Sequence, residues 1–333
     1  MTPTAIPKML SYFSPFESPP LAAGTTLLIV AATVHLARRI IKTRSPRRHR
    51  SIRPSEERVL IIGASSGLGR AIAKKYATRS ARICIVARRA EALSVLAKEC
   101  GEQQCIWEVA DFSNVEDMVR VRERLREEWG GLDTLYVCAG VSAVQPVMSL
   151  AGIGPGKDED ASASGIQNAL DITARATQGN VYGPLVAAVA FIPMLTRTSA
   201  VPAVLLVSSV AAVVPAPTRA LYAATKASSL LLFQSLAIEH PKVAFSFVLP
   251  ATIEGNFRAS AVDAGPEARE AEPNQHGLKL DYVANRCLEA VDRQVTGNVV
   301  VPWFPYALAH HLYYLWPSFI ERKARKKYNF GQY

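Results

Sequence analysis

Tyr222 and Lys226 stand four residues apart in the run Tyr222-Ala223-Ala224-Thr225-Lys226. On a helix that spacing puts both side chains on one face. An ammonium beside a phenol favours the phenolate, so the pair suits proton exchange near working pH. Thirteen residues before the Tyr, the apolar run Ala203–Val207 ends in Ser208-Ser209. A strand end of a parallel sheet is where ligands bind. Gly63-Ala64-Ser65-Ser66-Gly67-Leu68-Gly69 follows another apolar run, Arg58–Ile62, and opens a helical stretch. Glycines there let the backbone turn tightly and approach a pyrophosphate, and the helix N-terminus adds amide donors and a positive dipole. An ordinary βα turn is the plain alternative.

The turn after a second strand distinguishes two dinucleotides. A carboxylate there bonds the ribose hydroxyls of NAD, whereas an Arg accommodates the 2′-phosphate of NADP. The strand ends Ile85-Val86-Ala87-Arg88-Arg89, with two cations and no acid. Arg88, with Arg89 second, is therefore expected to grip a 2′-phosphate; solvated surface arginines are the alternative. The six His residues match no metal-site spacing, and no metal is expected.

These residues need a scaffold that brings strand ends together. Strands are expected at Arg58–Ile62, Arg82–Ala87, Cys105–Val109, 132–138, Ala203–Val207, 244–249 and 299–301. Helices are expected at 67–78, 90–99, Val115–Trp129 and 221–239. Continuous apolar strands alternating with helices imply an α/β fold, a doubly wound parallel sheet of Rossmann type covered by helices on both faces. Residues 142–165, with Gly152, Gly154, Pro155 and Gly156 and then four charged residues, read as a long polar insertion. The five Cys are odd in number and match no zinc or CxxC pattern, which implies reduced thiols and a reducing compartment.

In this order, the motifs resemble the short-chain dehydrogenase/reductase family over about residues 57–301. The layout is similar to its membrane-anchored members related to 11β-hydroxysteroid dehydrogenases and 3-ketosphinganine reductases. The resemblance implies cofactor contacts from Gly63, Ser65, Ser66, Gly67, Leu68 and Gly69. It implies an adenine contact from Asp111, and further contacts from Ala139 and Gly140 in Cys138-Ala139-Gly140 and from Pro250 and Thr252 in Pro250-Ala251-Thr252. It implies Tyr222 as general acid, Lys226 as tuner of Tyr222 and ligand of the nicotinamide ribose, Ser209 as holder of the carbonyl, and Asn180 as the site of a relay water. The sequence departs from the family pattern at Cys138, where the family has Asn, and at Ala251, where it has Gly. NADP(H) is the expected cofactor, and reduction of a hydrophobic carbonyl (steroid, sterol or long-chain lipid ketone) the expected reaction. Oxidation of a lipid, steroid or retinoid alcohol and a non-catalytic dinucleotide-binding membrane protein are the alternatives. The family is usually oligomeric, which implies a homodimer.

The formal charge is +10, but it is concentrated. Residues 38–53 hold eight cations and no acid, and residues 321–327 hold five cations and one acid. Together these patches exceed the whole net charge, so the remainder is slightly acidic. That excludes a basic domain face and argues against nucleic acid as a partner. Residues 21–37 carry no formal charge, which suits a short membrane span extending to about residue 41. The expected organisation is an irregular leader (1–20), a transmembrane anchor (21–41), a basic solvated linker (42–56), the NADP-binding domain (57–301) and a C-terminal segment (302–333). Seven aromatics lie between residues 303 and 319, just before the second patch. Aromatics with trailing cations suit a membrane interface, with a lid or dimer contact as the alternative. The cations after the span place the catalytic domain in the cytosol. A single-pass endoplasmic reticulum protein in contact with membrane lipids is expected by layout.

Overall fold

The computed structural model describes residues 48–154, 159–258, 261–264 and 276–330. The expected leader and transmembrane anchor lie outside the described residues. Strands β1 (Arg58–Ile62), β2 (Arg82–Ala87), β3 (Cys105–Val109), β4 (Thr134–Val137), β5 (Ala203–Val207), β6 (Ala244–Pro250) and β7 (Gly297–Val301) are rich in β-branched and apolar residues. They form one parallel sheet in the order β3-β2-β1-β4-β5-β6-β7. At its centre Ile61 lies between Ile85 and Tyr136. The chain builds outward from β1 to β3 and then returns to lay β4 against the other side of β1. That reversal opens a crevice beyond the carboxyl ends of β1 and β4.

Alternate strand residues face opposite ways and make two cores. On one face Val59, Ile61, Ile83, Ile85 and Leu205 pack under helices α1 (Gly67–Ala77), α2 (Ala90–Cys100) and, later in the chain, 280–292. On the other, Leu60, Ile62, Val86, Leu135, Val204, Phe245 and Phe247 pack under α3 (Val115–Trp129) and two helices further on. α3 starts where the Asn114 side chain accepts from the Asp117 amide and stops at Gly130, in the left-handed region at φ 67°. The polar insertion contains one short helix, α4 (Val147–Leu150), before α5 (Ala163–Thr177). A π-helical turn, Gln178–Tyr182, links α5 to α6 (Gly183–Thr198). α7 (Ala220–Glu239) and α8 (Leu280–Asp292) complete the layers. By length and composition Ala163–Thr198 and Ala220–Glu239 could cross a membrane. Their buried faces, however, cover the sheet.

Residues 48–56 correct one expectation. The basic linker was expected to be solvated, yet Arg48 is 2% exposed. It pairs with buried Glu57, donates to Thr134 Oγ1 (2.5 Å), the Asp133 carbonyl (2.7 Å) and the Val201 carbonyl (2.9 Å). Glu57 sits at the amino edge of the sheet, where a buried carboxylate needs a cation, and the five-donor guanidinium satisfies several acceptors at once. After β7 the chain forms α9 (Tyr306–Leu315) and α10 (Pro317–Lys327), broken at Trp316. Being parallel, β7 delivers them to the carboxyl edge, and His310 Nδ1 lies 3.4 Å from the Val213 carbonyl just beyond β5.

Candidate active site

The Gly63–Gly69 loop turns from β1 into α1 at the crevice. Gly63 has φ +89°, and a Cβ there would lie 2.5 Å from the Ala139 amide nitrogen. A Cβ on Gly69 would lie 2.3 Å from the Gly63 carbonyl oxygen. Gly67, at φ +53°, faces open space. Gly63 thus closes the loop against the β4 exit, Gly69 packs the start of α1 on the loop's own backbone, and Gly67 leaves room above the helix N-terminus. The loop's shape fits a pyrophosphate for the reason glycine is needed there.

The cations after β2 divide their work. Arg89 donates to Ser65 Oγ at 3.0 Å, bringing a guanidinium onto the glycine loop. Arg88 is exposed and lies 3.7 Å from the Asp111 carboxylate. Sequence reasoning ranked Arg88 first, but Arg89 is the one joined to the loop. Asp111 Oδ1 accepts from the Ser113 amide (3.0 Å) and hydroxyl (2.8 Å), so part of its carboxylate shapes its own turn. Leu68, at the start of α1, is buried.

Beyond β4, β5 and β6 the expected catalytic residues gather. Ser209 lies near enough to Tyr222 to draw its phenol down, and its Oγ accepts from the Ala211 amide at 3.1 Å. Ser208 is buried and turned toward the Lys226 carbonyl, so the second serine is the one at the phenol. Phe257 packs edge-on against Tyr222, with centroids 6.1 Å apart. Lys226 is 4% exposed and donates to the Val207 carbonyl at 3.1 Å. A Cβ on Gly140 would stand 2.8 Å from Lys226 Nζ and 2.9 Å from Asn180 Oδ1, so all three meet at one point. Asn180 is fully buried in the π-helical turn. Its Oδ1 accepts from the Val141 amide (2.9 Å), and its Nδ2 donates to the Val141 carbonyl (2.9 Å) and Thr225 Oγ1 (3.0 Å). A π turn inserts one extra residue, which aims Asn180 inward at the β4 exit. Pro250 ends β6, and Thr252 Oγ1 accepts from Arg258 at 3.2 Å.

The electrostatics differ from the expectation in one respect. Burial raises the Tyr222 phenol above its ordinary range, while Ser209, then Arg219 and Arg258, draw it down. The Lys226 amine donates to the Val207 carbonyl. The amine itself is pushed down to about 8 by burial. Cys138, in the place of the family's Asn, has its thiol pushed up to about 12 by burial and is a neutral neighbour of Lys226.

The short chain dehydrogenase family model matches residues 57–264, more than half of the chain. The chain belongs to the short-chain dehydrogenase family. Among the dehydrogenases it is similar to, "11-beta-hydroxysteroid dehydrogenase-like 2" of Arabidopsis thaliana is 30% identical over 241 residues, covering 71% of this chain and 70% of that one. "11-beta-hydroxysteroid dehydrogenase A" of Sesamum indicum is 30% identical, covering 60% of this chain and only 53% of that protein's length. An uncharacterized oxidoreductase of Mycobacterium tuberculosis is 26% identical and covers 81% of this chain and 97% of that one. An alcohol dehydrogenase of Thermococcus sibiricus, solved in complex with 5-hydroxy-NADP, has the same fold at a TM-score of 0.59. It is 23% identical, over 73% of this chain and 95% of that one.

Two features of this dehydrogenase escaped sequence reasoning. Arg219 is buried and donates to Ser142 Oγ (3.2 Å) and the Ala143 carbonyl (3.0 Å). Asp263 is buried and accepts from the amides of Val144 and Gln145, both 2.8 Å at their shorter contacts. The signal for Arg219 was its isolation: from residue 203 to 238 the only charged side chains are Arg219 and Lys226.

Proposed function

We propose that this dehydrogenase uses NADP(H) to reduce a hydrophobic carbonyl, a steroid, sterol or long-chain lipid ketone, to the alcohol. The observation that carries the reading is that Lys226, one turn after Tyr222 on α7, meets Asn180 and Gly140 at the β4 exit and donates to the Val207 carbonyl, two residues before Ser209. Arg88 and Arg89, with no acid at that turn, support NADP(H) over NAD(H). The cofactor supplies the hydride when bound. Tyr222 gives its phenolic proton to the carbonyl oxygen, and Ser209 donates to the same oxygen and holds it. Lys226 offers an amine whose proton is weakly held, and Asn180 fixes the β4 exit beside it. Phe257 supplies an apolar wall over the phenol.

The hydrophobic class of the substrate is supported by the C-terminal segment. Trp303, Phe304, Tyr314, Leu315 and Trp316 are all more than half exposed at the carboxyl edge of the sheet. The cations of α10 follow them, with Lys323 over the Phe319 ring and Lys327 over Tyr306. Such a surface suits the interface of an anionic leaflet. With residues 21–41 as anchor, the domain 57–301 would face the cytosol at the endoplasmic reticulum membrane. Val189, Leu231 and Ile238, 65–83% exposed on α6 and α7, support a second copy of the chain as partner. NADPH oxidation by detergent-solubilised protein against steroid, sphingoid and fatty ketones tests the substrate class. Turnover of a lipid ketone is expected. A panel in which glucose-like ketones beat every lipid overturns that class.

A further inference from the structure

Asp263 is a buried carboxylate that the catalytic reading leaves unused. A charge taken out of water is costly unless hydrogen bonds replace the water. Here they come from a segment 118 and 119 positions earlier in the chain. Oδ2 accepts from the Val144 and Gln145 amides, both at 2.8 Å, and Oδ1 accepts from the Val144 amide at 3.0 Å. The Gln145 side chain donates to the Asp263 carbonyl. The Val262 amide donates to the Ser142 carbonyl at 2.9 Å, and Arg175 of α5 donates to the Val262 carbonyl at 3.3 Å. Residues 262–263, beyond β6, are thus bound to residues 142–145, beyond β4. Amide bonds to a carboxylate are roughly twice as strong as those between neutral groups, so the Asp263 side chain is the strongest part of this tie.

Both tied segments lead to the phenol. Beyond β6, Phe257 packs edge-on against Tyr222. The next residue, Arg258, donates to Thr252 Oγ1, and its carbonyl accepts from the Ala261 amide at 3.1 Å. Ala261 lies two residues before Asp263. Beyond β4, Ser142 and Ala143 are buried and accept from Arg219, the residue just before α7. Tyr222 is the third residue of that helix. Residues 142–145 therefore hold the phenol's helix through Arg219 and the ring's loop through Asp263.

We propose that Asp263 is a positioning residue that holds Phe257 against Tyr222 before a substrate arrives, and so sets the width of the slot that a carbonyl enters. The inference rests on reading Tyr222 as the acid. A wall fixed in advance need not be ordered when the ligand binds. Asp263 thus acts on substrate binding, and the chemical step is left to Ser209, Tyr222 and the cofactor.

The test replaces Phe257 by 4-fluorophenylalanine in the full chain and records its fluorine resonance in detergent, without substrate or cofactor. Asp263→Ala is expected to move the resonance toward its urea-unfolded position. Asp263→Asn, which keeps an acceptor oxygen, is expected to move it less. The same probe at Phe233, fully buried in the core, is expected to stay in place. Coincident Phe257 resonances in the parent and Asp263→Ala overturn the proposal, as does a displacement as large at Phe233, which marks general loosening. Should Asp263→Ala fail to fold, Gln145→Ala removes only the side-chain bond to the Asp263 carbonyl. A smaller displacement is then expected, and none overturns the proposal. On the ketone of the steroid, sphingoid and fatty panel that the parent reduces fastest, Asp263→Ala is expected to raise KM about tenfold, the upper end of what ordering one side chain costs. Its kcat and NADPH affinity are expected to stay near the parent's. An unchanged KM, or a loss confined to kcat, overturns the proposal. A failure of the reductase reading shows instead as turnover surviving in Tyr222→Phe, and the fluorine comparison does not depend on it.

Discussion

Lys226→Met should make the protein more stable at neutral pH. Lys226 is 4% exposed, and the titratable group acting on its amine is the Cys138 thiol. Burial lowers the amine's pKa from the ordinary 10.5 to about 8, so the fold disfavours the protonated form. Between those two values the unfolded chain binds the proton and the folded chain has released it. Stability therefore rises with pH across that window, and below about 8 the full penalty applies. At about 1.4 kcal/mol per pH unit the penalty is roughly 3 kcal/mol. Met keeps the apolar stem and removes the charge, but loses the bond to the Val207 carbonyl, worth about 1 kcal/mol. The net expectation is a gain of roughly 2 kcal/mol near pH 7 that shrinks toward nothing near pH 10. Urea unfolding of the parent and the variant at both pH values measures it. A variant less stable than the parent at pH 7, or a gap that does not shrink with pH, would refute the reasoning. A gain in stability accompanied by lost turnover would mark Lys226 as a charge retained for function at the fold's expense.

Three further outcomes follow from the same structure. Gly140→Ala puts a methyl within 3 Å of Lys226 Nζ and Asn180 Oδ1 at a backbone position that tolerates a side chain. Turnover of whichever ketone the panel identifies should fall about 10²-fold, the cost of a displacement near 1 Å, with the melting temperature little changed. Arg48→Met leaves Glu57 buried without its cation, and chemical denaturation should report a loss of about 3–5 kcal/mol; Arg48→Met with Glu57→Gln should recover part of it. Arg89→Ala and Arg88→Ala should each weaken NADPH binding more than NADH binding, with Arg89→Ala the larger effect because that side chain joins Ser65. Isothermal titration with both cofactors measures the ratio.

The strands and four of the helices were legible because their apolar runs are continuous or recur at helical spacing, whereas α5, α6 and α8 had no expected limits. The limits expected for β1, β2, β3, β5 and α3 coincide with those observed. The glycine loop and the Ser209, Tyr222 and Lys226 spacing were legible because local geometry dictates them. Contacts between distant segments were not. Arg48 reads as one of eight solvated cations until Glu57 and Thr134 are seen beneath it. Arg219 bonds Ser142 across 77 positions, and Asp263 reaches Val144 across 119. The i, i+4 rule put Tyr222 and Lys226 on one face but could not say where the amine turns. The carbonyl of Val207, on another element, decides that.

The most direct measurement is NADPH oxidation by the parent and by Tyr222→Phe, side by side, on the steroid, sphingoid and fatty ketones. The variant lacks one oxygen atom, and Ser209, Lys226 and the crevice keep their places. Turnover in the parent that vanishes in the variant, while both bind NADPH alike, is the expected result. Equal turnover in the two proteins would contradict Tyr222 as the acid, and with it the reading of the whole site.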